Sequence, residues 1–210
     1  MATPFGHALA GYAVFSTAEN RGLKKFQLMF LCVFSAVAPD LDILPGILVG
    51  KPVLFHGSIT HSIGFGVLLS LALAGGYYLL QRKAFLPVFG LCLMAFVTHL
   101  MLDYVGRDGR PPYGIPIFWP LSNQHFLSPI PLLLGARHVS STSASVIEFI
   151  QGVFHYYNLL AIGLEALIIG PFVWLGKWYS RKSTQGSVST STHLSPERNE
   201  VTGIQGLNNG

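Results

Sequence analysis

Eight residues of the chain have the types and spacing that metal chemistry requires: His7, Asp40, Asp42, His56, His61, His99, Asp103 and His125. Imidazole nitrogens mixed with carboxylate oxygens suit zinc, with manganese or iron as substitutes. His99 and Asp103 are four apart, so on a helix they share a face with Cβ atoms about 5–6 Å apart, close enough to reach one cation. Asp40 and Asp42 lie in Ala38-Pro39-Asp40-Leu41-Asp42, behind a proline that ends or kinks a helix. A carboxylate can also bridge two ions in a two-metal hydrolytic site. Each residue alone has an ordinary reading. His7 can pack or cap a helix, Asp40 and Asp42 can close one, Thr60-His61-Ser62 can start one, and His99 with Asp103 can form a buried pair. Their common location decides between the readings.

That location follows from the apolar segments that carry them. Half of the 210 residues are hydrophobic and 10% are charged, against about a quarter in soluble domains, and mean hydropathy is +0.49. Apolar segments fall at 5–18, 26–38, 63–80, 84–105 and 159–176. A spanning helix needs about 17–25 residues, which the last three segments supply. Arg21, Lys24 and Lys25, then Arg82 and Lys83, then Lys177, Arg181 and Lys182 occupy alternate connections. Lys51, Arg107, Arg110 and Arg137 fall on the other side, and Arg198 lies in the distal tail. The positive-inside rule places the N-terminus outside and the C-terminus in the cytoplasm. This charge count ignores the His and Asp residues, yet it brings their segments to one outer face. Segment two, counted over 26–39, gives about 21 Å of helix against a core of about 30 Å, so Asp40 is expected below the outer surface. A buried carboxylate there costs about 2.5–3.5 kcal/mol on insertion scales, which a cation would offset.

The 106–157 connection is rich in Gly, Pro and aromatics, and is expected to be an ordered outer loop with a short helix over 146–157, capped by the Ser/Thr stretch at 140–145. Residues 183–210 are Ser, Thr, Asn and Gly rich and read as a disordered tail behind a membrane domain of residues 1–182. Glu165, inside segment five, is either a carboxylate supporting the site or a packing residue paired across the bundle. His138 and His155 read as solvated or capping, and His193 as uninvolved. Cys32 and Cys92 sit in apolar runs, so no disulfide is expected. The residues before the first apolar stretch lack a positive n-region, so that helix is expected to stay in the mature protein. No basic stripe with interleaved aromatics is present, so nucleic acid is not an expected partner.

Five motifs occur in order between residues 5 and about 133: Gly6-His7, Pro39-Asp40-Leu41-Asp42, His56 with Thr60-His61-Ser62, His99-x-x-x-Asp103, and Gly114-Ile115-Pro116-Ile117-Phe118-Trp119-Pro120. Together they resemble the YdjM-like membrane-bound metal-dependent hydrolases. That family usually has an arginine after the first histidine of the His56 motif; Gly57 stands there, removing an anion-binding side chain. The family is distantly similar to zinc-dependent phospholipase C and the related single-strand nuclease. The similarity implies a helical bundle holding zinc and hydrolysing phosphoesters. It also implies His7, Asp40, His61, His99 and Asp103 as ligands, with Asp103 bridging, and makes His125 the one candidate for a further ligand set.

The expectation is an all-α integral membrane bundle of about five helices in a bacterial inner membrane, with the site at the external face. Metal-activated water would attack a phosphoester, a lipid or envelope-linked compound being the candidate substrate, and Asp42 would accept its proton. His56 and His125 are additional candidates. A non-catalytic metal-binding protein or an ion transporter using the same cluster is the alternative. A soluble secreted hydrolase conflicts with the unbroken apolar runs at 63–80 and 84–98.

Overall fold

The computed structural model describes residues 1–18, 23–109, 111–137 and 145–192, with side chains described through Lys182. Arg21, Arg110, His138, His193, Arg198, residues 140–144 and the tail beyond Thr192 lie outside the described residues. The order is α1 (Pro4–Ala18), α2 (Lys25–Val37), a 3-10 turn (Ala38–Asp42), α3 (Ile43–Leu48), a second 3-10 turn (Ile59–His61), α4 (Ile63–Gln81), α5 (Phe85–Val105), α6 (Val146–Val153) and α7 (Tyr156–Thr192). No strand occurs among the described residues, and the expected all-α bundle is the architecture found.

Four helical stretches are long and apolar enough to cross a membrane: Lys25–Leu48, Ile63–Gln81, Phe85–Val105 and Tyr156–Lys182. The five-span reading is corrected in two respects. α1 has 15 residues, about 22 Å, and falls short of the bilayer core. Segment two does not stop at Pro39: its helix tightens into the 3-10 turn and resumes as α3, giving 24 residues in all. Pro39 lacks the N–H a continuing α-helix would use, and the 3-10 turn absorbs that loss.

α1 is the inner helix, packed against α2, α5 and α7, while α4 pairs with α5. Close approach depends on small residues, as in many membrane bundles. A Cβ on Gly11 would stand 2.7 Å from the Cys32 carbonyl and 2.8 Å from Ala36 Cβ, so only glycine lets α1 lie against α2. Val14, Phe15, Leu28, Cys32, Val88 and Cys92 build the core below the site, and both cysteines are free and buried. Leu68, Leu79, Leu80, Met94, Met101, Leu167 and Phe172 point outward, as lipid-facing side chains must. α4 starts from Ser62, whose side chain accepts from Phe65 N–H, and ends at Arg82 in the left-handed region, turning directly into α5.

The outer loop is ordered where it is described. Ile115 and Phe126 exchange backbone hydrogen bonds, Ile63 N–H donates to Ile117 C=O, and Leu132 N–H donates to Val105 C=O. The loop also clamps the start of the chain. The Met1 amine donates to Arg107 C=O, and Ala136 N–H donates to Met1 C=O. The helix expected over 146–157 is two: α6 ends at Val153, and His155 Nδ1 accepts from Tyr157 N–H at the head of α7. α7 stays helical to Thr192, across the first positions of the tail expected from Ser183.

Candidate metal centre

The heads of α1 and α4 and the ends of α2 and α5 meet at one end of the bundle. His7 comes from the first turn of α1, Asp40 from the 3-10 turn after α2, His61 from the turn before α4, and His99 with Asp103 from the last two turns of α5. His7 Nε2 lies 3.3 Å from Asp103 Oδ1 and 3.8 Å from Asp40 Oδ2. His61 Nε2 lies 3.5 Å from both Asp40 Oδ1 and Asp103 Oδ2. His99 Nε2 lies 3.2 Å from Asp103 Oδ2 and 4.0 Å from Asp40 Oδ1. The His7 and His99 rings stack with centroids 3.8 Å apart.

The surroundings orient these groups. His99 Nδ1 bonds Ala36 C=O at 2.8 Å, so it carries the proton and leaves Nε2 a lone pair aimed inward. Asp103 Oδ1 accepts from Ala2 N–H at 2.9 Å, which orients the carboxylate so that Oδ2 faces His61 and His99. Five buried atoms of these residues have no hydrogen-bond partner: both ring nitrogens of His7, Nε2 of His61 and His99, and Oδ2 of Asp103. Buried polar atoms are otherwise almost always paired, and an orphan costs about 1–3 kcal/mol. The three Nε2 atoms and Oδ2 converge, and such a set fits a metal ion. His7, Asp40, His99 and Asp103 form one possible ligand group, and Asp40, His56 and His61 a second that shares Asp40. Burial opposes a charge on His61, but hydrogen bonds that its ring donates to Asp40 and Asp42, with the charges of Asp103 and Asp42, outweigh it and raise its pKa to about 10.

A family model described as YdjM inner membrane protein matches residues 1–182. The chain belongs to that family. It is an integral inner membrane protein, in keeping with its four apolar helices. No curated protein and no solved structure matches it.

Within this YdjM family member, His7, Asp40, His61, His99 and Asp103 share one cluster, and His56 stands at its edge. Asp42 lies behind the cluster. Its Oδ1 accepts from His56 Nδ1 at 2.8 Å, its Oδ2 accepts from Thr60 Oγ1 at 2.7 Å and Gly57 N–H at 3.2 Å, and His61 Nδ1 is 3.4 Å away. His125 is not part of either ligand group; it lines a pocket of about 290 Å³ together with His56.

Sequence reading missed the supports at the head of α1. Thr3 caps this helix, its Oγ1 accepting from Gly6 N–H at 3.1 Å. Glu165 of α7 accepts from Thr3 N–H at 2.7 Å and from Thr3 Oγ1. In a capping box, a Glu at the third helical position takes the N–H of the cap. Here that position is Gly6, where a Cβ would collide with the Glu165 carboxylate, and the carboxylate arrives from another helix. Thr3-Pro4 was a legible start signal, whereas its partner 162 residues away was not.

Proposed function

We propose that this YdjM family protein is a metal-dependent hydrolase acting on a phosphoester at the external face of the inner membrane. The observation that carries the reading is the convergence of His7, His61 and His99 Nε2 with Asp103 Oδ2, buried and unpartnered, beside Asp40. Three imidazoles with two carboxylates suit zinc, and manganese next. A divalent cation held there would supply Lewis acidity to a phosphoryl oxygen and lower the pKa of attacking water.

The chain's own residues provide the rest. Asp40, 11% exposed at its side chain, borders a cleft of about 280 Å³, and His56 borders the same cleft. Asp42 takes the proton-acceptor role, and it holds His56, whose Nδ1 it binds at 2.8 Å, at the edge of the cluster. Asp42 also braces His61, so one carboxylate sets two imidazoles. An ion pathway is less well supported, because Glu165 is committed to Thr3 and does not continue a polar route across the bundle.

The test uses protein purified in detergent and loaded with zinc or manganese, with bis-p-nitrophenyl phosphate as substrate. At saturating metal, Asp42→Asn should remain loaded, with affinity lowered by up to about a hundredfold because Asp42 braces His61, and should lose about 10²–10⁴ in rate, the usual worth of general-base catalysis. Asp40→Asn should lose both metal and turnover. A parent that binds metal and hydrolyses no phosphoester would defeat the proposal and leave a metal-binding protein.

A further inference from the structure

Two cavities meet at His56, and their walls differ in kind. The first, about 280 Å³, is walled by Phe5, Ile43, Phe149, Val153 and Ile162 and has Asp40 at its inner side. Its rims are α3 and α6, and both carry outward apolar side chains: Leu44, Ile47 and Leu48 on one, Ile147, Ile150 and Val153 on the other. α3 belongs to a stretch apolar enough to lie in the bilayer. Apolar rims of this kind are unfavourable in water, so the cleft has the character of one that opens sideways toward lipid. Exposed Arg137 stands at its edge. The second cavity, about 290 Å³, lies between the 53–59 segment and the outer loop, and Ser58, Asn123 and His125 give it polar groups. Met1 and His56 line both.

A wholly soluble phosphoester has no use for an apolar approach to a carboxylate and a histidine. A wholly apolar molecule has no use for the polar pocket beyond. We infer that the substrate is a membrane lipid phosphoester. One chain enters between α3 and α6, the phosphate lies beside Asp40 and His56, and the headgroup extends toward Asn123 and His125. The first cavity is smaller than a whole drug-sized pocket, so it holds only the chain segment next to the phosphate while the remainder stays in the bilayer. This inference rests on the hydrolase reading for its chemistry, but its binding geometry can be measured separately.

The experiment places the full chain in phosphatidylglycerol nanodiscs doped with a phosphatidylglycerol that carries a diazirine near the phosphate end of its acyl chain. Crosslinks should concentrate on Phe149, Val153 and Ile162, and Val153→Trp or Ile162→Trp should abolish that concentration while bound metal stays at the parental level. The same variants should lower, at least tenfold, the ratio of lipid turnover to bis-p-nitrophenyl phosphate turnover. If the parent hydrolyses bis-p-nitrophenyl phosphate but crosslinks spread evenly over the lipid-facing helices, or the ratio does not change, the lipid inference is overturned and the hydrolase reading stands. If the parent hydrolyses neither compound, the hydrolase reading falls. Cleft labelling lost in Val153→Trp would then still support a lipid site, and absent labelling would end it.

Discussion

Replacing Glu165 by alanine should weaken metal binding, although its contacts are to Thr3 rather than to the cluster itself. Its carboxylate accepts both hydrogen-bond donors of Thr3, and Thr3 in turn caps the helix that carries His7. Thr3 and Glu165 are both almost fully buried, so water cannot replace the lost acceptor. One orphaned backbone N–H costs about 1–3 kcal/mol. If that penalty falls on the arrangement with His7 in place, metal affinity drops by a similar free energy, about tenfold to a hundredfold. The same range is typical for residues that orient metal ligands. Glu165→Gln should recover most of the loss, since its amide oxygen can still take the Thr3 N–H. The assay is a zinc titration in detergent against a chromophoric chelator, with a thermal midpoint measured for each variant in saturating zinc. Parental affinity in Glu165→Ala would refute the trans-capping argument. Equal losses in the Ala and Gln variants would show that charge, not hydrogen-bond geometry, is what matters.

His99→Ala should cut bound metal well below the parental level without preventing membrane insertion, as measured by metal analysis of the membrane-extracted protein. A reporter fused after Lys182 should register cytoplasm, and one inserted near Ser122 should register the opposite face; the reverse result would put the cluster inside. Zinc affinity should also depend on pH. The His61 pKa lies above its ordinary 6.5, at about 10, so the proton is fully held below 6.5 and is lost as pH rises through 10. A cation must displace that proton, so affinity should climb by about tenfold per pH unit across that window; flat titrations between pH 7 and 9 would contradict the protonated cluster.

Much of the centre could be read from residue spacing because its geometry is local. His99 and Asp103 face the same way by helix periodicity, and Pro39 marked where Asp40 leaves the helix. Loop charge then supplied the long-range information that put these ends together. The environment of Asp42 was not legible. Two apart from Asp40 on a turn of unknown type, it could have faced the cluster or away, and its donors His56, Gly57 and Thr60 come from a segment with no periodicity. The same limit hid the continuation of α2 into α3, since a proline reads as a stop unless a 3-10 turn carries the chain past it. Glu165 reads from the sequence as a carboxylate supporting the site or a packing residue, but a contact across 162 residues leaves no spacing that would choose between them.

The first helix shows how these parts depend on one another. At 15 residues it cannot span, yet it occupies the middle of the bundle and its head supplies the site. That head is held on every side: the Met1 amine on Arg107 C=O, Ala2 N–H on Asp103 Oδ1, and Thr3 on Glu165. The Ala2 bond has a consequence for coordination. It fixes how Asp103 presents itself, with Oδ1 3.3 Å from His7 Nε2 and Oδ2 facing His61 and His99. Asp40 has no backbone N–H donor of this kind among the described residues, its partners being the imidazoles themselves. Its Oδ2 faces His7 while its Oδ1 faces His61 and His99, and it belongs to both possible ligand groups. If the centre takes two ions, the carboxylate best placed between them is therefore Asp40, rather than the Asp103 that resemblance to the phospholipases would suggest. Asp40 also borders the cleft of about 280 Å³, which under the proposed lipid reading places it on the side from which a substrate would arrive.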